Sequence, residues 1–469
     1  MSRSDPIRIA IVGGGLAGLA LANALIRTPP DAASDHPDFE VHVFEGKPAF
    51  SEREFSVRLA TNARKALRYC FPNLNEMLER AGGHHFLGMK TVIEEENAKL
   101  KDKKQIEEKH DMMPLSVFRT TLLDEFVTMF KECGDKAKLY TGMDLVSIST
   151  GDSVVLTFGN GKTETFDAVI GADGYRSVVR RFVLGDKAAE EPATAAGFWD
   201  CRALVPAEAA QKLLFKPVKD ALRYHQKQNG TEQTEQSSEY NDDSENRQWI
   251  YCGDTSFVMS GMFGDKGKAA IVVSALETEP WKTQKQVLTR KWMEEEMRGW
   301  VGDPFLKPVL DALFYETDEV QGYRHYHFKK TSTYNNGRMC IIGDAAHAMT
   351  PWQGAGAGIA FEDAMVLSHL LWNCPSRKHL DAAFETFTEV RKDRCQYMID
   401  SSETMGKLYC GQIPEAGERN PDTGFFDLDP VRCMDVIRAT RTEAFNLNHE
   451  DHRQDAKMKL EKMIRDRGL

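Results

Sequence analysis

The fold of this chain is decided by residues 7–18, which read IRIAIVGGGLAG. The apolar run Ile7–Val12 predicts a buried strand, because it is short, rich in β-branched residues and ends in glycines. Residues Ala17–Ile26 predict a helix, and Phe39–Phe44 predicts a second strand. The stretch therefore predicts a βαβ unit with a tight glycine turn between its first strand and its helix.

The glycine turn has the spacing GxGxxG, with its glycines at Gly13, Gly15 and Gly18. Glycine allows a sharp turn and a close approach of the backbone to a pyrophosphate, whose charge the helix N-terminus stabilises. Glu45 ends the second strand, where a carboxylate can bind the hydroxyls of an adenosine ribose. We predict that these four residues bind a dinucleotide. The alternative is that Glu45 only ends a surface strand.

Two further motifs favour a flavin over a nicotinamide in this site. Residues 171–180 read GADGYRSVVR, and residues 338–358 read RMCIIGDAAHAMTPWQGAGAG. Asp344 can hold a ribityl hydroxyl, and the turn before Gly356 and Ala357 opens a helix whose N–H groups would face the negative charge of a reduced flavin. Each stretch alone could be an ordinary turn, but the three motifs in this order predict FAD.

With these motifs the chain resembles the group A flavoprotein monooxygenases, the family of para-hydroxybenzoate and salicylate hydroxylases. The stretch QGAGAG at residues 353–358 looks most like the salicylate-hydroxylase-like branch, which includes microbial aromatic-polyketide hydroxylases. The resemblance implies that Glu45 binds the ribose and Asp344 the ribityl chain. It also implies that Arg119 lies near the FAD phosphates and that Asp173 takes part in binding both FAD and NAD(P)H.

The chain departs from the family pattern at two places. Where relatives have a glycine-rich stretch, residues 54–58 read EFSVR, so we expect the flavin contact there to come from the backbone of Ser56 or Arg58. Trp352 stands where relatives often carry a histidine or another residue beside the flavin ring.

The resemblance implies an α/β fold with three parts. These are a para-hydroxybenzoate-hydroxylase-like FAD domain built on the βαβ unit, a mixed β-sheet substrate domain and a helical C-terminal segment. The predicted FAD domain is discontinuous and comprises residues 1–80, 110–185 and 325–375. The predicted substrate domain comprises residues 81–109 and 186–324, with a polar insertion near residues 226–247, and the helical segment is residues 376–469.

Two residues are candidates for the substrate site. Arg202, within GFWDCRALVP at residues 197–206, matches an arginine on the substrate-domain sheet of this branch, where a guanidinium can hold a phenolate or carboxylate. The alternative is an ion pair between Arg202 and a neighbour such as Asp200. Tyr224 could reach the same pocket, although packing is the simpler interpretation of that residue. His347 is better explained as a structural histidine than as a general base.

The resemblance implies an enzyme in which NAD(P)H reduces FAD, O2 adds at C4a of the flavin, and the hydroperoxide hydroxylates an aromatic, phenolic small molecule. Such a reaction would belong to secondary metabolism or aromatic catabolism. The alternatives are a flavin-dependent epoxidase of an indole or alkene and a non-enzymatic flavin-binding regulatory protein. A halogenase is disfavoured, because its Trp-x-Trp-x-Ile-Pro stretch is absent from the sequence.

Composition limits the classes of partner. The net charge of −11 repels phosphate backbones and anionic lipids, so neither nucleic acid nor such a membrane is expected to bind. The nine cysteines include no CxxC pair, which predicts reduced thiols in a cytoplasmic protein and no metal site. We expect no transmembrane span, and either a monomer or a homodimer.

Overall fold

The computed structural model describes residues 5–29, 36–50, 56–86, 89–93, 114–217, 248–263, 267–297, 300, 305–419, 421 and 426–468. Tyr224 and the polar insertion predicted at residues 226–247 lie outside these ranges. The strands, in chain order, are β1 (Ile7–Val12), β2 (Phe39–Phe44), β3 (Ser56–Leu59), β4 (His84–His85), β5 (Met89–Ile93), β6 (Leu115–Phe118), β7 (Ala137–Tyr140), β8 (Leu145–Thr150), β9 (Val154–Phe158), β10 (Thr163–Phe166), β11 (Ala168–Gly171), β12 (Thr194–Pro206), β13 (Gln248–Cys252), β14 (Ser256–Phe263), β15 (Lys268–Leu276), β16 (Lys285–Thr289), β17 (Glu319–His327), β18 (Asn335–Asn336), β19 (Met339–Ile341), β20 (Gly417–Arg419) and β21 (Phe426–Leu428).

The α-helices are α1 (Leu16–Ile26), α2 (Thr61–Cys70), α3 (Leu74–Arg80), α4 (Arg119–Lys131), α5 (Val178–Leu184), α6 (Ala207–Ala210), α7 (Arg290–Glu296), α8 (Leu306–Leu313), α9 (Asp344–His347), α10 (Gly356–Trp372), α11 (Leu380–Tyr409), α12 (Pro430–Phe445) and α13 (His449–Arg467). Among the helices of the described ranges, none is both long enough and apolar enough to cross a bilayer.

The first layer of the fold is a largely parallel sheet. Its strands, as far as the described residues go, follow the order β18-β19-β11-β1-β2-β7, and β18 is the antiparallel member. β1 is almost entirely apolar and buried, as expected for a strand covered on both faces. Helix α1 follows β1 and packs against α10, so the predicted βαβ unit is confirmed.

The second layer is a mixed sheet with the strand order β16-β17-β12-β15-β14-β13-β5, in which β5 and β13 run parallel. The long strand β12 has two different faces, because successive side chains alternate across a sheet. Trp199 and Cys201 are buried in an apolar cluster that includes Trp281. Phe198 and Asp200 face the other way, where Phe198 packs with Trp352. The predicted mixed sheet is thus confirmed, while the residue boundaries of the domains stay a prediction.

The C-terminal part is helical, as predicted, and it covers the first layer. The 30-residue helix α11 and helix α13 both pack on α10, and α12 packs on α11. All nine cysteines carry free thiols, and all but Cys133 are buried.

Two elements differ from what their sequence alone predicts. The sequence pattern of Pro114–Phe130 predicts one helix, but Leu115–Phe118 pairs antiparallel with β3 and the helix begins at Arg119. The four residues before Arg119 read LSVF, a short and mostly apolar run that fits either structure locally, and the partner strand decides between them. The apolar pattern of Phe166–Ile170 predicts one strand, but β10 ends at Phe166 and the parallel strand β11 begins at Ala168.

Candidate active site

The glycine turn after β1 is built by close backbone contacts. Gly13 has a φ of +109°, and a Cβ atom there would lie 2.2 Å from the carbonyl oxygen of Ala172. A Cβ atom at Gly18 would lie 2.1 Å from the carbonyl oxygen of Gly13. Gly15 differs, because the nearest atom to a Cβ there is Nη2 of Arg119 at 3.9 Å. Gly13 and Gly18 therefore shape the turn, whereas Gly15 faces open space on the side of Arg119.

Glu45 braces this turn from the end of β2. Its Oε2 accepts a hydrogen bond from the backbone N–H of Gly14 at 3.0 Å, and its Oε1 accepts one from the N–H of Lys47 at 3.0 Å. Each carboxylate oxygen can accept more than one hydrogen bond, so these contacts leave acceptor capacity for a ligand hydroxyl.

Asp344 begins the short helix α9, directly after Gly343, whose φ is +58°. Its side chain is exposed although both flanking residues, Gly343 and Ala345, are buried. Burial among protein groups raises the pKa of Asp344, against the opposing effect of the charges of His347 and Arg119. The carboxylate of Asp344 is accessible but surrounded by protein atoms, so it lies in a groove. Arg119 is close to both Asp344 and Gly15, so this groove extends to the glycine turn.

The N-terminus of α10 opens toward the same region of the fold. A Cβ atom at Gly356 would meet no protein atom within 4 Å, and Ala357 is half-buried. The preceding Gly354 has a φ of +63°, and a Cβ there would lie 3.5 Å from the side chain of Arg58. Arg58 and Ser56 lie two residues apart on β3 and are both half-buried. The structure therefore places Arg58 beside the turn that precedes α10, with Ser56 two residues away on the same strand.

Asp173 stabilises the start of α5 rather than standing free. Its Oδ1 accepts from the hydroxyl of Ser177 at 2.5 Å, and its Oδ2 accepts from the N–H groups of Val178 and Val179 at 2.7 and 3.3 Å. Burial raises the pKa of Asp173, and these hydrogen bonds oppose that rise. The residue joins the glycine turn through Gly13, since a Cβ there would lie 2.9 Å from the Asp173 nitrogen.

A buried ionic cluster beneath this groove was not predicted. Glu362 and Asp363 on α10 and Arg391 on α11 are fully buried, and Arg391 donates to both carboxylates at 2.9 Å. Arg394 binds Glu362 with two hydrogen bonds, of 2.7 and 2.8 Å. Asp363 also accepts from the N–H of Gly343 at 3.0 Å and contacts Nε2 of His347 at 2.5 Å. The cluster thus fixes the Gly343 turn, and His347 has the structural role predicted for it.

The sequence did contain a signal for this cluster. Glu362 and Asp363 interrupt an otherwise apolar helix, which buried acids do only with partners. Arg391 and Arg394 are three residues apart and so share one helix face. His347, Asp363 and Cys395 also come within 4.8 Å of one another, but the adjacent positive charge of Arg391 disfavours a metal ion there.

The second sheet contributes a polar group to the other side of the site. Asp200 is 1% exposed, and its Oδ2 accepts from Nε and Nη2 of Arg202 at 2.8 and 2.6 Å. The same oxygen lies 3.3 Å from Nε2 of His325 on β17. Burial alone would raise the pKa of Asp200, but the charges of Arg202 and His325 lower it to about 2. The ion pair named as the alternative for Arg202 is therefore present, and sequence reasoning missed His325.

Trp352 connects the two layers. It lies in the loop before α10, its ring is 5.0 Å from the ring of His325, and it packs against Phe198 and Phe257 at 5.5 and 5.1 Å. Its edge fits against Gly406 of α11, where a Cβ atom would lie 2.2 Å from Cδ1 of the ring. The loop that opens α10 is thereby held against the face of the sheet that carries Asp200.

With this geometry established, comparison with known proteins identifies the family. The family profile described as FAD binding domain matches residues 75–402. The chain belongs to this family. The groove is consistent with that assignment, because Gly15, Gly356 and Asp344 leave open space beside a helix N-terminus, a cation and a carboxylate.

Members and structural neighbours of the family cover nearly the whole chain. The 6-methylsalicylate 1-monooxygenase of Aspergillus terreus is 28% identical over 434 residues, which is 87% of this chain and 84% of that protein. The structure of a salicylate hydroxylase substrate complex superposes with a TM-score of 0.73 at 21% identity, covering 96% of this chain and 98% of that one. Klebsiella pneumoniae HpxO complexed with FAD and uric acid gives a TM-score of 0.62 at 17% identity, covering 97% and 96%.

These findings confirm the predicted fold and class. The chain has the salicylate-hydroxylase type of fold, and it is an FAD-dependent monooxygenase of the FAD binding domain family.

Proposed function

We propose that FAD binds in the groove lined by Gly15, Arg119, Asp344 and Gly356. The pyrophosphate would lie at the glycine turn and Arg119, where a helix N-terminus and a guanidinium offer positive charge. The carboxylate of Asp344 would accept a hydrogen bond from the ribityl chain, and Glu45 would bind the ribose. Ser56 and Arg58 would flank the flavin, and the start of α10 at Gly356 and Ala357 would face its ring. Asp173 would act mainly by holding the turn, since its oxygens bind α5.

We further propose that the enzyme consumes NAD(P)H and O2 to hydroxylate a phenolic aromatic small molecule. The observation that carries this proposal is the group formed by buried Asp200 with half-buried Arg202 and His325, which Trp352 holds against the loop before α10. A pocket with an aromatic wall and a few convergent polar groups is typical of a small aromatic ligand. The relative from Aspergillus terreus supports the same class, because its name gives 6-methylsalicylate, a phenol with a carboxylate, as its substrate.

The protein residues in this proposal bind and orient the reactants. When bound, the flavin takes a hydride from NAD(P)H and activates O2 for transfer of one oxygen atom. Arg202 donates hydrogen bonds to the substrate oxygen from the sheet side, and it is held in place by Asp200. Trp352, packed against Phe198 and Phe257, would form an apolar wall that keeps water from the bound substrate. Tyr224 stays a predicted second contact to the substrate.

The test is oxidation by the FAD-loaded protein of NADH and NADPH in the presence of salicylates, other small phenols and indoles. We expect phenols to stimulate both NAD(P)H oxidation and O2 uptake, with one oxygen atom of O2 in the product. Stimulation by indoles or alkenes with epoxide products would establish the epoxidase instead. Bound FAD with no stimulated oxidation by any of these compounds would contradict the proposal.

The remaining assignments are also proposals. We propose the cytoplasm as the compartment, which the nine free and mostly buried thiols support. We also propose a role in secondary metabolism, and that the protein is a monomer or a homodimer.

Gly356→Ala is expected to weaken FAD binding without weakening the fold. The new methyl group meets no protein atom within 4 Å, and alanine favours the first turn of a helix over glycine. If the flavin occupies that space, overpacking should cost about 1–3 kcal/mol of FAD affinity. Titration of apoprotein with FAD, together with the melting temperature of the apoprotein, measures both effects. Gly151→Ala is the matched control, because that exposed glycine also has no atom within 4 Å. Unchanged FAD affinity in Gly356→Ala would move the flavin ring away from α10.

Asp344→Ala is expected to weaken FAD binding by about 10–100-fold, because a charge-assisted hydrogen bond contributes about 1.5–3 kcal/mol. The apoprotein should be at least as stable as the wild type. Folding raises the pKa of this carboxyl, so its ionised form costs stability at neutral pH. Flavin content after gel filtration and apoprotein unfolding give the two measurements. Asp186→Ala, at an exposed aspartate, is the control. Stoichiometric flavin in Asp344→Ala at low micromolar protein would refute the assignment.

A further inference from the structure

While His325 is neutral, the charges of Asp200 and Arg202 balance each other before any substrate binds. Asp200 is buried, and the guanidinium of Arg202 contacts its Oδ2 through two nitrogens at 2.8 and 2.6 Å. One negative and one positive charge sum to zero at this distance. A phenolate placed beside the pair would therefore leave one uncompensated negative charge, which a site of low polarity disfavours strongly. Arg202 can thus donate hydrogen bonds to an ionised phenol, but its positive charge is already balanced by Asp200 and does not balance the charge of the phenolate.

His325 is placed to supply the missing positive charge. Its Nε2 lies 3.3 Å from Oδ2 of Asp200, an ion-pair distance without hydrogen-bond geometry, and its side chain is 16% exposed. Nε2 is thus the nitrogen beside Asp200, and Nδ1 is on the other side of the ring. The ring of Trp352 lies 5.0 Å from that of His325, so the imidazole faces the loop that opens α10. A carboxylate on one nitrogen fixes the orientation of the ring and stabilises the imidazolium, which leaves the other nitrogen to accept a proton.

We propose that Nδ1 of His325 takes the proton of the substrate's phenolic hydroxyl, and that the imidazolium, rather than Arg202 alone, balances the phenolate. The O–H bond breaks, its electron pair stays on the oxygen, and a new N–H bond forms at Nδ1. The site then holds two positive charges, on Arg202 and His325, and two negative charges, on Asp200 and the phenolate. This inference rests on the proposed function, since it assigns the proton acceptor for that substrate class.

Other titratable groups near β17 are engaged elsewhere. Tyr323 and His327 lie two residues from His325 on the same strand. The Lys285 ammonium of β16 lies 5.6 Å from the ring centre of Tyr323, and His327 Nδ1 is 3.6 Å from Glu403 of α11. Trp352, in the loop before α10, carries no charge. Asp200 and Arg202 on β12 are therefore the charges expected to act on the proton at His325.

The test is an absorbance titration of bound 4-nitrophenol, whose ionised form absorbs at longer wavelength, in oxidised FAD-loaded protein without NAD(P)H. We expect His325→Gln to raise the apparent pKa of the bound probe by about 1–3 units, because an opposite charge close by is lost. His327→Gln, at the neighbouring histidine, is the control and should leave the probe unchanged. Flavin content and melting temperature are measured on each variant.

Replacing Asp200 gives a second and stricter test. Asp200→Asn removes the negative charge that pairs with Arg202, so the probe should ionise at least as readily as in the wild type. In the double variant Asp200→Asn/His325→Gln, the probe should again ionise as in the wild type, because Asp200 no longer balances the charge of Arg202. This comparison does not depend on His325→Gln being stable by itself.

Each outcome decides the matter. A probe pKa in His325→Gln equal to that of the wild type, or a double variant that fails to restore ionisation, overturns the role of His325 and leaves the proposed function standing. A wild-type protein that carries FAD but binds no phenol overturns both proposals together.

Discussion

Replacing Arg391 by methionine is expected to lower the free energy of unfolding by about 3–5 kcal/mol, because it removes the buried guanidinium that pairs with two buried carboxylates. The guanidinium is fully buried, and it donates to Asp363 and Glu362 at 2.9 Å and to the carbonyl of Ile359 at 3.2 Å. Methionine fills a similar volume but offers no charge. Arg394 and His347 remain on the two carboxylates, yet neither reaches both of them.

Urea unfolding of the FAD-loaded protein, followed by far-ultraviolet circular dichroism, measures this loss. Arg467→Met is the matched control. Its pair with Glu385 also holds helix α11, but both side chains are 40% exposed, so the expected loss is below about 1 kcal/mol. Equal losses in the two variants would show that the buried cluster contributes no more than a surface pair. We also expect Arg391→Met to release flavin more easily, since Asp363 holds the Gly343 turn before Asp344.

Arg202→Gln is expected to uncouple the enzyme while its flavin content stays normal. Without the guanidinium, Asp200 and a substrate anion face a single positive charge, that of His325. The cost should be about 2–5 kcal/mol, as for one partner lost from a buried charge pair. Substrate would bind weakly, and activated oxygen would leave as H2O2. NAD(P)H consumed, H2O2 formed and product formed are measured in one assay, and the ratio of H2O2 to product should rise.

The control for this variant is Arg324→Gln. Arg324 is on β17, one residue from His325, and it binds Glu277 through two hydrogen bonds of 2.6 and 2.7 Å on the opposite face of the sheet. Loss of this pair tests the effect of breaking an arginine–carboxylate pair in the same sheet. Unchanged coupling in Arg202→Gln would make Arg202 a structural partner of Asp200 and remove it from the substrate site. Equal uncoupling in both variants would assign the effect to the sheet as a whole.

The groove that we assign to FAD could be predicted from the sequence because its constraints are local. Gly13 needs a positive φ, Gly18 needs room for a neighbouring carbonyl, and Asp344 comes three residues after the end of β19. Each of these requirements restricts one position of the chain to a particular residue type. The order of three such motifs was enough to predict the cofactor class and the first sheet.

The substrate side could be predicted only in part, because its contacts depend on pairing between distant strands. Asp200 was recognised as a possible partner for Arg202, since two residues in a strand share a face. His325 was missed, because its position relative to Asp200 depends on the register of β12 with β17. That register shifts between Ala195 and Trp199, where Gly197 has a φ of +74°. A glycine within a strand indicates such an irregularity, but it does not give the pairing that follows. The same limit applies to Arg391, which reaches Glu362 across 29 residues and two helices.

The packing of Trp352 against Gly406 has a consequence for how such enzymes diverge. A single methyl group at position 406 would require the indole to move, since the new atom would lie 2.2 Å from its edge. The indole also packs against His325 and Phe198, so a substitution at Gly406 would move the side of Trp352 that faces these two residues. Selection for a new substrate could therefore act on the back of the site first, keeping every polar group in place while the pocket changes shape. Gly406 is accordingly the position at which we would begin a directed-evolution library.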